Sequence, residues 1–176
     1  MMRSPTISWR RLEPAGREAS TVSETVAGWR INGVAEFREA NAPTCLAYVI
    51  RCGPHWETLS CDITGFIGEE AVAVLVDRDA TGTWTVNGAQ SPVVSGCVDI
   101  DLAFSPITNL LPIRRLNLRT GEMARVRAAW LTYPELTLQA LDQTYTRLAS
   151  DRYLYESGDG AFRRELKVND KGLVVD

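Results

Sequence analysis

MARVRAAWL, residues 123–131, is the stretch from which the fold is read. Ala124, Val126, Ala128 and Trp130 alternate with Met123, Arg125, Arg127 and Ala129. A two-residue period puts the first set on one face and the second on the other, which predicts a half-buried strand. The same reading extends outward. Phe162, Leu166 and Val168 alternate with Arg163, Glu165 and Lys167, and Leu116 and Leu118 with Arg115, Asn117 and Arg119. AVAVLVD (71–77) is apolar and β-branched and predicts a central strand. Turn chemistry separates these runs at Cys52-Gly-Pro-His55, Asp79-Ala-Thr-Gly82, Asn87-Gly88, Ser157-Gly-Asp-Gly160 and Asp170-Lys-Gly172. Strands so spaced predict an all-β, mainly antiparallel protein, a barrel or half-barrel sheet. Helix is expected only as one or two short pieces, with a turn around Ile107–Leu111, and Thr137–Leu148 is read as strand. Tyr48–Asp62 and Ala128–Asp142 both read as strand, proline-containing turn, strand. Two duplicated halves closing one sheet around a shared interior follow as an expectation.

The 176 residues fit one domain, 1–176, able to bury roughly 70% of its unfolded surface. Hydrophobic residues at 45% and charged residues at 23% exclude a disordered chain. A net charge of −3, with basic doublets scattered at Arg10-Arg11, Arg114-Arg115 and Arg163-Arg164, lacks the footprint of a nucleic-acid binder. No segment approaches the ~18 apolar residues of a membrane helix. The start, MMRSPTISWRRLE, has no apolar run of signal-peptide length, so a cytoplasmic location is expected. Four cysteines without a CxxC pair, and the single His55, do not make a zinc set; no metal or other cofactor is expected. A hairpin of Leu46–Cys52 with His55–Cys61 would bring Cys45 and Cys61 nearly opposite each other, a candidate redox pair. His55, beside a Gly-Pro turn and without a nucleophile motif, reads as an exposed turn residue.

The chemistry concentrates in CVDIDLAFSPITNLLPIRRLNL, residues 97–118. If Val98–Leu102 is a strand, Asp99 and Asp101 point the same way at ~6.5 Å. They could pair with an arginine, bind a ligand or act as acid and base. Arg114 and Arg115 are adjacent, so only one of them easily meets that face. Thr108 and Asn109, between Pro106 and Pro112, can hold loop backbone or hydrogen-bond a sugar hydroxyl. Gln143 and Tyr145 share a face if their segment is a strand. Trp9, Trp29, Trp56, Trp84 and Trp130, with Tyr48, Tyr145, Tyr153 and Tyr155, offer apolar faces that fill β cores or line small-molecule pockets.

These motifs resemble the bacterial putative glycolipid-binding family, once classed only as a domain of unknown function. The resemblance runs through residues 97–118, YVIRCGPHWETL, DRDATGTWTVNG, LDQTYTRL before RYLYES, and the closing VNDKGLVVD. It implies a mostly antiparallel β barrel or half-barrel with an apolar interior, similar to carriers of lipids or lipoprotein acyl chains. It carries over Asp99, Asp101, Thr108, Asn109, Arg114, Arg115, Gln143 and Tyr145 as polar ligand contacts, and Trp56, Trp84 and Tyr153 as aromatic ones. It implies no catalytic residue. Relatives tend to continue past the position of Asp176, so a short edge strand is expected there.

The resulting expectation is a protein that holds an amphipathic small molecule or glycolipid. The acyl tail would enter an apolar cavity, at ~0.8 kcal/mol per buried methylene, with its polar group at the rim. Two alternatives stay open. One is a small-molecule hydrolase or isomerase using Asp99 and Asp101. The other is a non-catalytic interaction module, which predicts a large exposed apolar patch.

Overall fold

The computed structural model describes residues 6–175. Residues 1–5, part of the stretch read for a targeting signal, and Asp176, the end of the closing motif, lie outside the described residues. The chain gathers into two compact units. The first runs through Pro54 and resumes over Thr58–Ser91; the second comprises His55–Glu57 and the chain from Pro92 onward.

The first unit is one antiparallel sheet in sequence order. Its strands are β1 (Thr6–Arg11), β2 (Gly16–Thr25), β3 (Gly28–Glu39), β4 (Ala42–Cys52), β5 (Thr58–Ile67), β6 (Glu70–Arg78), β7 (Trp84–Val86) and β8 (Ala89–Gln90). Alternation decides its faces. Ile31, Ala35 and Phe37 of β3 are buried, as are Thr44, Leu46, Tyr48 and Ile50 of β4, and Cys61 and Ile63 of β5. Gly65 sits where β5 crosses close to β4. Its φ is 144°, and a Cβ there would lie 1.9 Å from the Cys45 carbonyl oxygen, so only glycine lets the strands meet.

The second unit holds a five-stranded sheet in the order β13-β12-β11-β10-β9. Its strands are β9 (Asp99–Leu102), β10 (Met123–Leu131), β11 (Leu138–Ala149), β12 (Arg152–Ser157) and β13 (Phe162–Lys167). β9 runs parallel to β10, and the other neighbours are antiparallel. Between β9 and β10 come a 3₁₀ turn, Pro106–Asn109, and a short helix α1, Leu110–Leu116. The Ser105 hydroxyl caps the turn by accepting from Ile107 N at 3.2 Å, and Pro106 stands at its start, where no N–H is needed. Asn117, in the left-handed region at φ 44°, ends α1. Ile113, Leu118, Tyr145, Tyr153, Tyr155, Val168 and Val174 pack together as this unit's core.

The all-β, mainly antiparallel expectation holds, with one short α-helix. Among the described residues neither sheet closes on itself, which suits an open half-barrel rather than a closed barrel. MARVRAAWL is β10, and Thr137–Leu148 is strand, as read. From Ala128 onward β10 is covered on both sides, since Ala129 and Leu131 are buried too.

Four expectations need correction. The strands form two sheets, so no single sheet closes around duplicated halves. AVAVLVD is not central: β6 pairs with β5 along its length but meets β7 only over Val76–Arg78. Leu116 and Leu118 do not alternate along a strand. Leu116 ends α1, whose Leu110, Leu111 and Ile113 are buried, and Pro112 falls in its first turn, where its missing N–H costs no hydrogen bond. Cys45 and Cys61 are not opposite: Cys45 faces Phe66 and Cys61 faces Ile50. Among the described residues no disulfide joins any of the four cysteines.

Candidate functional site

Most of the polar residues singled out in residues 97–145 come together in the second unit. Asp99 and Asp101 are alternate residues of β9 and point the same way, as the strand reading requires. Their partners differ. Arg115 grips Asp99 with both arms of its guanidinium, Nε to Oδ1 at 3.0 Å and Nη2 to Oδ2 at 2.5 Å. Asp99 is 2% exposed, so this is a buried, bidentate ion pair. The hydrogen bond to Asp99 raises the Arg115 pKa.

Asp101 is half-buried, and its two hydrogen-bond donors are neutral. Thr108 Oγ1 donates to its Oδ1 at 2.9 Å and Gln143 Nε2 to its Oδ2 at 2.6 Å. Burial raises its pKa, those two hydrogen bonds pull it back, and the nearby charge of Asp99 adds to the rise. Gln143 uses its second amide hydrogen on the Tyr155 hydroxyl, at 3.0 Å. Burial, with Asp101 nearby, pushes the Tyr155 phenol up to about 12 and raises that of Tyr145 well above its ordinary value. Tyr145 donates to Asn109 Oδ1 at 2.8 Å, and Asn109 Nδ2 donates to the Pro106 carbonyl at 3.1 Å. Carboxylates, amides and phenols thus run from β9 through the 3₁₀ turn and β11 to β12.

The remaining predicted residues stand apart from this network. Arg114 projects from α1 over the Trp56 ring, 5.2 Å from its centroid, a cation–π contact. Tyr153 lies in the apolar core with Arg147 over its ring at 5.6 Å. Trp84 belongs to the first unit, where it is buried on β7. His55 is an exposed turn residue, as read.

The reading of the sequence missed two things. Tyr155 belongs to the Asp101–Gln143 chain rather than to the apolar core alone. The first unit also has a buried carboxyl of its own. Glu18 and Ser20 of β2 are 6% and 2% exposed on the same sheet face as Tyr48. The Tyr48 hydroxyl donates to Glu18 Oε1, and Ser20 Oγ lies 2.5 Å from Tyr48 Oη. Gly33 lies beneath the ring: a Cβ there would sit 2.2 Å from Tyr48 Cζ and Oη. The signal was present in GREASTV (16–22), where Glu18 shares the inward period with Ser20 and Val22.

Beside the β10–β12 strands is a concavity of about 670 Å³. Arg125, Arg127, Asp142, Glu156 and Asp159 line it, on the sheet face opposite the Gln143 side chain.

A family model described as putative glycolipid-binding matches residues 6–176. The chain belongs to this family. The crystal structure of a DUF1089 family protein from Pseudomonas aeruginosa is similar to it at a TM-score of 0.80 and 29% identity. That match covers 100% of this chain and 91% of the other. The neighbour's DUF label agrees with the resemblance to a former domain of unknown function. No curated protein matches the chain. No helix among the described residues is long and apolar enough to cross a membrane.

Proposed function

We propose that the chain acts as one domain, 1–176, that binds a glycolipid or similar amphipathic lipid without transforming it, in the cytoplasm. Membership of a family described as glycolipid-binding supports the ligand class. The observation that carries the proposal is Asp101. An aspartate needed only for structure would be expected to resemble Asp99, closed off by a bidentate arginine. Asp101 is instead held by a threonine hydroxyl and a glutamine amide, groups that serve a ligand hydroxyl equally well. In this reading Asp101, Thr108, Asn109, Gln143 and Tyr145 meet the polar end of the lipid. Arg115 fixes Asp99, Arg114, Trp56 and Tyr153 contribute packing surface in the second unit, and Trp84 does so within the first. Arg115 also argues against an acid–base pair, because an ion-paired Asp99 is a poor proton carrier.

Native mass spectrometry of the protein, before and after organic extraction, tests the proposal. A lipid-sized adduct, or uptake of one from a lipid extract, is expected, weakened by Gln143→Ala and Thr108→Ala. A clean protein that takes up nothing would end it.

A second reading, an interaction module, is favoured by the outer face of the eight-stranded sheet. The register lines up Ala19, Val34, Ala47, Thr64 and Ala73 across it. Val34, Phe66 and Leu75 on that face are 41%, 42% and 41% exposed. A monodisperse monomer at high concentration that takes up lipid favours the first reading. Association abolished by Phe66→Glu favours the second.

A further inference from the structure

The concavity beside β10–β12 is lined almost wholly by charged and polar side chains. The register arranges them. Arg125 stands opposite Thr144, which stands opposite Glu156, and Arg127 stands opposite Asp142. Each guanidinium therefore has an acceptor as its cross-strand neighbour, about 5 Å away between Cβ atoms. The turn Ser157-Gly-Asp-Gly160 forms one rim; its residues Gly158, Asp159 and Gly160 all take positive φ, of 58°, 55° and 85°.

We propose that this groove binds the neutral, polyhydroxylated group of a glycolipid, a sugar ring. The proposal rests on the glycolipid reading above for the occupant's source, and on the groove's chemistry for its class. The volume of about 670 Å³ falls within the ~300–1,000 Å³ usual for small-molecule sites. Its one aliphatic lining residue, Val126, alternates with Arg125 and Arg127 and turns its side chain to the opposite face, so the groove does not suit an acyl tail. Three carboxylates (Asp142, Glu156, Asp159) against two guanidiniums (Arg125, Arg127) disfavour phosphate or another anion. A zwitterion would have to part existing pairs, Arg127 with Asp142 at 3.4 Å and Arg163 with Glu156 at 3.7 Å. A sugar hydroxyl need not, because it donates and accepts at once and can bridge a guanidinium and its carboxylate. These pairs are exposed and individually weak, so bridging them costs little. Gln143 alternates with Asp142 and Thr144, so its side chain turns to the opposite face of the sheet, and a ring held in the groove is a contact separate from the Asp101 network.

The test is a titration of the full chain with methyl glycosides of glucose, galactose and mannose, followed by amide chemical shifts. Inorganic phosphate and phosphoethanolamine serve as separate arms. The expected result is shifts at 125–127, 142–144 and 156–160 with at least one glycoside. Asp142→Ala and Arg127→Ala should weaken binding about tenfold each, since each removes a charge-assisted hydrogen bond. Both residues are exposed, so unchanged far-ultraviolet circular dichroism will show that the variants fold. Shifts at these residues only with phosphate or phosphoethanolamine, shifts only elsewhere, or none, would overturn the proposal. The lipid-uptake measurement runs in parallel. Uptake without groove shifts removes this inference alone, and glycoside binding in the groove without lipid uptake removes only the lipid reading.

Discussion

Gly33 lies directly beneath the Tyr48 ring, and Gly33→Ala tests why a glycine stands there. The added methyl would lie 2.2 Å from Tyr48 Cζ and Oη and 2.6 Å from Ser20 Oγ. Tyr48 is 1% exposed, so its ring has nowhere to swing without disturbing neighbours. Overpacking of this kind costs about 1–3 kcal/mol. Displacing the ring also takes its hydroxyl away from the Glu18 carboxyl, about 1.5–3 kcal/mol for a hydrogen bond to a charged group. The easing of glycine's backbone entropy offsets about 0.5–1 kcal/mol. The net loss is about 2–5 kcal/mol, a large share of the ~5–15 kcal/mol that holds a domain together. At this chain length that lowers the melting temperature by about 5–20 °C. Urea denaturation of four proteins closes the argument: wild type, Gly33→Ala, Tyr48→Ala and the double variant. Tyr48→Ala is costly alone, but once the ring is gone the new methyl has room and Ser20 can rotate away. Gly33→Ala should then add less than about 0.5 kcal/mol, the margin within which independent sites add. If the two losses simply sum, Tyr48 does not rest on Gly33 and the account of this cluster is wrong.

Two further outcomes follow in the second unit. Arg115→Met strands the Asp99 carboxylate in a site 2% exposed, and should cost about 3–5 kcal/mol in urea denaturation at neutral pH. Adding Asp99→Asn should recover part of that loss, and a double variant no better than Arg115→Met would contradict the pairing. For Asp101 the sign is set by its raised pKa: the folded state holds the proton more tightly than the unfolded chain. Its stabilising effect is complete below the unfolded value near 3.8 and is lost as pH rises through the folded value. Melting curves should therefore show the stability of the wild type relative to Asp101→Asn falling as pH rises above about 4, and a flat or rising difference would refute the assignment.

The strands were legible because the alternation that names a strand also names its buried face. β10 and β11 follow directly from Val126 opposite Gln143 and Ala124 opposite Tyr145. The juxtaposition of Asp99 with one arginine of the pair was legible too, but which arginine was not. That depends on α1, whose residues turn by ~100° each, so Arg114 and Arg115 diverge without facing opposite ways. Three residues of apparent alternation at Leu116–Leu118 cannot tell strand from helix end, and Asn117 in the left-handed region decides it. The Cys45–Cys61 pairing failed because it assumed a shorter hairpin. The Gly53–Glu57 connection and the bulge at Cys52 set Cys61 against Ile50. Whether strands join one sheet or two is a long-range property that no local period carries.

The two units share a device that local patterning does not require. Each places a carboxylic acid on a buried or half-buried sheet face within reach of a hydroxyl or amide donor. Tyr48 donates to Glu18, and Thr108 and Gln143 donate to Asp101. An acid buried among apolar neighbours contributes less stability than a hydrocarbon of the same shape, so packing alone does not account for either. For Asp101 the binding role proposed above supplies a reason. A hydroxyl or amide donor can turn from the carboxyl to an incoming hydroxyl with little loss, whereas the bidentate Arg115–Asp99 pair cannot release one arm without exposing a charge. A protein that receives and releases a hydroxylated lipid needs exchangeable donors beside an acid and fixed ion pairs behind it. In the second unit β9 supplies both within three residues, the fixed pair at Asp99 and the exchangeable donors at Asp101.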